Sequence, residues 1–306
     1  MGTSPSASSV RILFLGRATL DILYRLDYMP VEDTKAYARQ MHAAPGGPAL
    51  NAAVTHALLG GQAMLISAVG SDPWAGPVRA ELDRLGIHFL DLAAGTAYET
   101  PLCTVLVSAA NSTRTIVNPP LTKVELCSPA PTWEDAVPSS WGAPPPVALV
   151  DGFFLPETLP LLTSLHAAGT CICLDAGSWK PGSGELAPLL SVAICSERFT
   201  IPGLDAGPDS LFAWFAARGV PFVAITRGAR SILASDRGRR FEIEIEPIFT
   251  TDTLGAGDVL HGAFCHHFAL APEFEPALRK AAALATLSCK SIGIEGWVSE
   301  AKVSRS

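Results

Sequence analysis

Asp252-Thr253-Leu254-Gly255-Ala256-Gly257-Asp258 is the stretch on which the reading of this chain turns. Ahead of it, Phe241-Glu242-Ile243-Glu244-Ile245 alternates apolar and charged residues, the period of a strand. After it, Val259-Leu260-His261-Gly262-Ala263-Phe264 opens an apolar helix. The stretch is therefore expected to be a glycine-rich turn feeding a helix N-terminus, where unpaired N–H groups and the helix dipole favour an anion. Gly255 and Gly257 put no side chain between the backbone and an oxyanion. Asp258 falls in the first turn. For binding alone a carboxylate is misplaced beside an anion site, because like charges repel; it makes sense if it takes a proton. A base for a hydroxyl, next to an anion hole from Gly255, Ala256 and Gly257, is the arrangement phosphoryl transfer requires. The plainer alternative is a helix cap, with Asp252 or Asp258 accepting backbone N–H bonds.

Working outward, the 306 residues suffice for one large α/β domain or two smaller ones. With 48% hydrophobic and 17% charged residues a sizeable core is expected, with disorder confined to the ends, residues 1–9 above all. A net charge of −7 without a basic block argues against nucleic acid as the partner. No apolar run reaches the roughly 18 residues of a membrane span, and the polar start lacks the regions of a signal peptide. Seven cysteines without framework spacing read as reduced thiols in a cytoplasmic protein. His261, His266 and His267 read as surface or helix-packing residues of the helix after the opening stretch.

Along the chain, Val10–Gly16 reads as a buried first strand, with Arg17 to Asp21 following at its carboxyl end, where open α/β sheets bind ligands. Ile22–Leu26 and Lys35–Met41 read as short strands of a small second sheet. Gly46-Gly47 makes a second glycine turn before a helix from Ala52 to Leu59. The apolar run Ala63–Val69 and a helix from Trp74 to Leu85 continue a βαβ rhythm. Thr100–Ser108 and Thr113–Asn118 form a hairpin. Pro129–Pro146 reads as a surface connection. Strands at Val147–Asp151, Cys171–Asp175, Val192–Cys195 and Phe222–Thr226 alternate with helices at Leu155–Ala168 and Ser210–Ala217, and a last helix runs from about Ala277 to Lys290. The expected fold is a three-layer αβα sandwich with a mostly parallel sheet and a small β-sheet lid.

Asp21, Gly46, Gly47, Asn51, Asn118 and the opening stretch are expected in loops facing one crevice. Asp and Asn suit sugar hydroxyls, since a carboxylate accepts two hydrogen bonds and an amide both donates and accepts. Taken singly, Asp21 could cap its turn and Asn51 the following helix. Taken together, Gly16-x-x-x-x-Asp21, Gly46-Gly47-x-x-x-Asn51, Ala68-Val69-Gly70-Ser71-Asp72, Leu85-Gly86-Ile87, Asn111-Ser112-Thr113-Arg114-Thr115-Ile116 and Asp252-Thr253-x-Gly255-Ala256-Gly257-Asp258 resemble the ribokinase/PfkB family of carbohydrate and nucleoside kinases over about residues 10 to 298. Leu20-Asp21-Ile22, Pro30-Val31-Glu32-Asp33, Arg114-Thr115-Ile116-Val117 and Ser288-Cys289-Lys290 look closest to ketohexokinase-like and sulfofructose-kinase-like members.

The resemblance implies a ribokinase-like domain over residues 10–303, with a lid from about 22–45 and 98–120. It implies ATP-dependent phosphorylation of a small sugar with Asp258 as general base, and Mg²⁺ entering with ATP; a monovalent cation such as K⁺ is left open. Asp21, Gly46, Gly47 and Asn51, with Arg114 and Asn118 from the lid, would bind substrate; Thr226, Gly228, Thr253, Gly255 and Gly257 would contact the nucleotide. A homodimer through the lid is implied. The alternatives are a nucleoside kinase, a sulfosugar or sugar-phosphate kinase, and a sugar-binding regulator on the same fold. The chain departs from the family in three places. Pro48 stands where ribokinase-type members carry Lys. The family's Asn-x-x-Glu, tied to metal and phosphate, has no match at Cys195-Ser196-Glu197-Arg198-Phe199, which leaves the metal ligands unassigned. Thr226-Arg227-Gly228-Ala229-Arg230-Ser231 lacks the second glycine of the nucleotide loop. A sulfofructose-type substrate would call for a cation at its anionic end; Lys35 is a candidate, while Phe153 stands where one is expected.

Overall fold

The computed structural model describes residues 10–110, 113–120, 132–291, 293 and 295–298. The turn Asn111-Ser112 and the expectations for residues 1–9 and 299–303 lie outside the described residues. In chain order the elements are β1 Arg11–Leu15, β2 Thr19–Leu26, β3 Gln40–Gly46, α1 Pro48–Leu58, β4 Gln62–Ser67, α2 Ala75–Leu85, β5 His88–Asp91, β6 Leu102–Ser108, β7 Thr113–Val117, α3 Trp133–Ala136, β8 Val147–Val150, α4 Leu155–Ala167, β9 Cys171–Ala176, α5 Ser183–Leu186, β10 Leu190–Ser196, α6 Pro208–Ala216, β11 Phe222–Arg227, β12 Arg230–Asp236, β13 Arg239–Ile243, α7 Ala256–Leu270 and α8 Phe274–Ser288.

Ile12, Leu13, Phe14 and Leu15 are all fully buried, the mark of a strand covered on both faces. β1 pairs in parallel with β4 on one side and β8 on the other. The main sheet runs β13-β12-β11-β10-β9-β8-β1-β4-β5, parallel except for its antiparallel β11-β12-β13 edge. Successive side chains point to opposite faces. Ile12 and Phe14 thus join a core with α1, α2, α7 and α8, whereas Leu13 and Leu15 join a second core with α4 and α6. The result is the expected three-layer sandwich. From β1 the chain builds toward β4 and β5; from β8 it builds the other way. The crevice at the carboxyl ends of β1 and β8 is therefore a topological switch point, the usual ligand site of such sheets.

The second sheet has the order β3-β2-β6-β7. Its strands are not all where the sequence pattern places them. β2 begins at Thr19, so Asp21 stands on a strand and not in a loop. The strand expected at Lys35–Met41 is β3, Gln40–Gly46, set by antiparallel pairing of Arg25 with Gln40 through Thr19 with Gly46. Residues 27–39 are largely exposed and cross from β2 to β3 without regular structure. The helix expected from Ala52 begins at Pro48, whose fixed φ suits a first helical position, so Asn51 lies inside α1. The presumed surface connection up to Pro146 also differs: it carries α3, and Ala136, Val137 and Trp141 are buried in the core beside α4. A segment rich in Pro and Ser hides its anchors because they show no period.

Candidate active site

α7 opens on Gly255, held at φ 73, with no side-chain cap. Neither aspartate caps it: Asp252 Oδ1 accepts the N–H of Leu254 at 2.9 Å, and Asp258 points elsewhere. The N–H groups of Gly255, Gly257 and Asp258 find no backbone acceptor among the described residues. A Cβ at Gly257 would meet nothing within 4 Å, so this face of the turn is open space. Orphan N–H groups at a positive helix end, facing open space, suit an oxyanion.

Asp258 Oδ2 accepts a hydrogen bond from Asn51 Nδ2 at 2.7 Å. Asn51 Oδ1 is buried and has no partner. A buried acceptor left unpaired costs about 1–3 kcal/mol, which a hydroxyl donor entering there would recover. α1 and α7 bring the two residues together because Gly262, one turn beyond Asp258, lets the helices touch; a Cβ there would lie 2.4 Å from the Ala52 carbonyl oxygen and 2.8 Å from Thr55 Cβ. Burial pushes the Asp258 carboxyl up to about 7, and the charge of Asp175 adds to this, while Asn51, His261 and Arg114 pull it down. Asp175, at the end of β9, is buried, and its Oδ2 lies 3.5 Å from His261 Nδ1, which is 2.7 Å from the carbonyl oxygen of Gly257. His261 and His266 are core residues, and His267 is partly buried.

The second sheet carries the sugar-reading candidates. Asp21 is registered against Cys103 of β6 and Ala44 of β3. Thr19 Oγ1 donates to its Oδ1 at 2.6 Å, and burial raises its pKa. Gly46 stays bare because a Cβ there would sit 2.2 Å from Asp21 Oδ2. Gly47, at φ 96, packs on the Arg17 carbonyl oxygen, 2.5 Å from where a Cβ would be. Cys103 Sγ donates to Asn118 Oδ1 at 3.1 Å. Arg114 of β7 reaches across to the α7 turn, Nη1 donating to Thr253 Oγ1 at 2.5 Å. Asp21, Gly46 and Arg114 thus lie on one small sheet whose edge touches the anion turn, with Asn118 just past the end of β7. Lys35 stands apart, exposed in the β2–β3 connection.

The family profile described as pfkB family carbohydrate kinase matches residues 11–137 and 185–298. The chain belongs to this family. It is an ATP-dependent carbohydrate kinase. The ribokinase of Bacillus subtilis (strain 168) is 22% identical over 295 residues, 93% of this chain and 94% of that protein. A solved structure from Agrobacterium tumefaciens, provisionally named a ribokinase, is 25% identical with a TM-score of 0.82, covering 97% of each chain. Arabidopsis thaliana ribokinase, solved with ribose and ATP, is 21% identical with a TM-score of 0.74, covering 94% of this chain and 95% of that one.

In this pfkB kinase Thr226 and Gly228 close β11. Glu197 N–H donates to the Thr226 carbonyl at 2.9 Å, and Gly228, at φ 64, sits in the tight β11–β12 turn whose flanking Arg227 and Arg230 pair. The turn geometry alone accounts for this glycine. At the place of the missing Asn-x-x-Glu, Ser196 ends β10, Glu197 pairs with Arg230, and Phe199 is buried. No group of three or more metal-ligating side chains stands together among the described residues. Asp151, Asp175 and Lys180 were not singled out by sequence, because each is an isolated polar residue at or just beyond a strand end. Asp151 is buried, accepting the N–H groups of Arg17 at 2.8 Å and Phe153 at 2.9 Å, and burial pushes its carboxyl up to about 6. It ties β8 to β1 at the switch point; a Cβ on Gly16 would fall 2.0 Å from its Oδ1.

Proposed function

We propose that this kinase phosphorylates a hydroxyl of a small sugar, a ketohexose or related monosaccharide, with ATP as donor and Asp258 as general base. The observation that carries the reading is the Asn51–Asp258 pair set beside the unpaired N–H groups of the α7 turn. A carboxyl held near 7 sits at the operating pH, where a general base is most effective. The hydroxyl gives its proton to Asp258 as its oxygen attacks the γ-phosphorus, and the bond to the β-phosphate oxygen breaks. The free N–H groups of Gly255 and Gly257 hold the transferring phosphoryl oxygens, Ala256 between them tightens the turn by donating its N–H to the Thr253 carbonyl oxygen at 3.3 Å, and Thr253 stands at the rim of that hole. Asp21, Gly46, Gly47 and Asn51 receive the sugar. Thr226 and Gly228 face the nucleotide.

Mg²⁺ would enter with ATP and neutralise charge on the phosphates. It commonly takes only one or two carboxylates besides phosphate and water. The Asp175 charge that already disfavours ionised Asp258 fits such a cation, which would offset it. The small sheet would act as a lid: the Arg114 contact with Thr253 brings its edge to the rim of the phosphoryl site, and closure over bound substrate would exclude water. Met41, Ile116 and Val117 are exposed on that sheet at 62%, 44% and 57%, which favours a second copy covering it. The six described cysteines are all free, which suits a reducing, cytoplasmic setting.

Following ATP consumption over ketohexoses, aldoses, sugar phosphates, sulfosugars and nucleosides tests the reading. Stoichiometric formation of a phosphorylated sugar is expected; turnover with nucleosides alone overturns the substrate class.

A further inference from the structure

A cavity of about 430 Å³ opens at the switch point, its walls including Arg17, Trp74, Tyr98, Thr100, Leu102 and Phe153. The volume is within the range of small-ligand pockets. Arg17 follows β1 and Phe153 follows β8, the two strands at which the sheet reverses its order. Arg17 is only 7% exposed. Its guanidinium makes no hydrogen bond or ion pair with any described residue; it lies over the Phe153 ring, 5.0 Å from the centroid. Charged side chains this buried are ordinarily paired, because desolvation is costly. Lys180 Nζ covers the same ring at 4.5 Å, but two of its three N–H donors go to the carbonyl oxygens of Asp151 at 2.9 Å and Ser178 at 3.2 Å. Arg17 therefore keeps five N–H donors and a full charge for something else.

Two carboxylates also line the cavity, and neither answers Arg17. Asp72 is spent on backbone N–H groups: Oδ1 accepts from Trp74 at 2.8 Å and Ala75 at 3.1 Å, and Oδ2 from Thr100 at 2.5 Å. Glu99 is exposed at the rim, where water screens it. The cavity adjoins the sugar site: Leu102 in its wall is registered on Leu20, next to Asp21, and Gly47 packs on the Arg17 carbonyl oxygen.

We propose that this cavity takes an oxyanion substituent of the sugar, a phosphate, sulfonate or carboxylate, on the Arg17 guanidinium. Resting on the sugar-kinase reading above, this narrows the substrate to a monosaccharide anionic at the end away from its reacting hydroxyl. Phe153, standing where a cation is expected from the sequence, becomes the platform that aligns Arg17 and Lys180. A guanidinium fork matches all three oxyanions, so the geometry selects the charge and not one group.

The test is calorimetric binding without ATP to four probes: fructose, fructose 6-phosphate, 6-deoxy-6-sulfofructose and 2-keto-3-deoxygluconate. At least one anionic probe should bind about 10- to 100-fold more tightly than fructose, the worth of a hydrogen bond to a charged partner; the three anionic arms separate phosphate, sulfonate and carboxylate. Arg17→Gln should erase that ratio and leave fructose affinity within about twofold; Arg17→Lys should restore part of it. Melting temperature checks that both variants fold. Equal affinity for fructose and every anionic probe, an unchanged ratio in folded Arg17→Gln, or no binding of any anionic probe overturns the proposal. Turnover of fructose without preference for anions would leave the kinase reading intact; anion-dependent binding through Arg17 with no turnover would sink the kinase reading alone.

Discussion

Asn51 Nδ2 donates to Asp258 Oδ2 at 2.7 Å, joining residues 207 positions apart. Asp258→Asn separates a base from a cap. An amide keeps the shape but takes no proton at neutral pH. Turnover should fall by roughly 10²–10⁴, with sugar and ATP affinity retained and the melting temperature no lower. Turnover within a few-fold of the parent protein would remove Asp258 as the base.

The contact of the two helices at Gly262 leads to a second expectation. Gly262→Ala places a methyl 2.4 Å from a backbone carbonyl that cannot step aside. Overpacking of this kind costs about 1–3 kcal/mol. Melting temperature and turnover should both drop, because separating α1 from α7 also draws Asn51 off Asp258. A stable, fully active variant would show that the pair does not depend on this packing.

Asp21→Ala should weaken sugar binding by about 10- to 100-fold, the worth of a hydrogen bond to a charged acceptor. ATP affinity should hold. Calorimetry giving the same sugar affinity as the parent would take Asp21 out of the site.

Much of this was legible in the sequence because α7 and its turn carry a dense local signal: a strand, a glycine pair, an acid and an apolar helix in one run. The parallel strands were legible too, as continuous apolar runs such as Val147–Val150. What the sequence hid is what depends on register or on distant partners. β3 is offset from its expected place because pairing with β2, and not its own pattern, sets where it begins. Trp141 is buried although its neighbourhood reads as surface. Asp175 acts on Asp258 only because β9 ends beneath α7, and Arg17 is notable only for a partner it lacks.

The pH dependence follows from the direction of the Asp258 shift. Burial and Asp175 raise this carboxyl from its usual 3.8 to about 7 in the folded protein. Folding therefore favours the protonated form, and between the two values the folded state holds more protons than the unfolded one. The contribution of Asp258 to stability must fall as pH rises across that interval and level off above it, whereas buried His56, held down to about 3, contributes with the opposite sign below its usual 6.5. Activity runs the opposite way, since only the ionised carboxylate accepts the hydroxyl proton. Turnover should climb through a limb near pH 7 and plateau above, while the melting temperature of the parent relative to Asp258→Asn, a difference in which the opposing effect of His56 cancels, declines from about pH 4 toward 7. Asp258→Asn removes the titrating group, so it should melt higher than the parent at pH 8 and lose that advantage near pH 4. Melting curves and turnover over that range check both halves. Parallel melting profiles for the two proteins, or a turnover limb well below pH 6, would show that Asp258 ionises freely and is not held as a poised base.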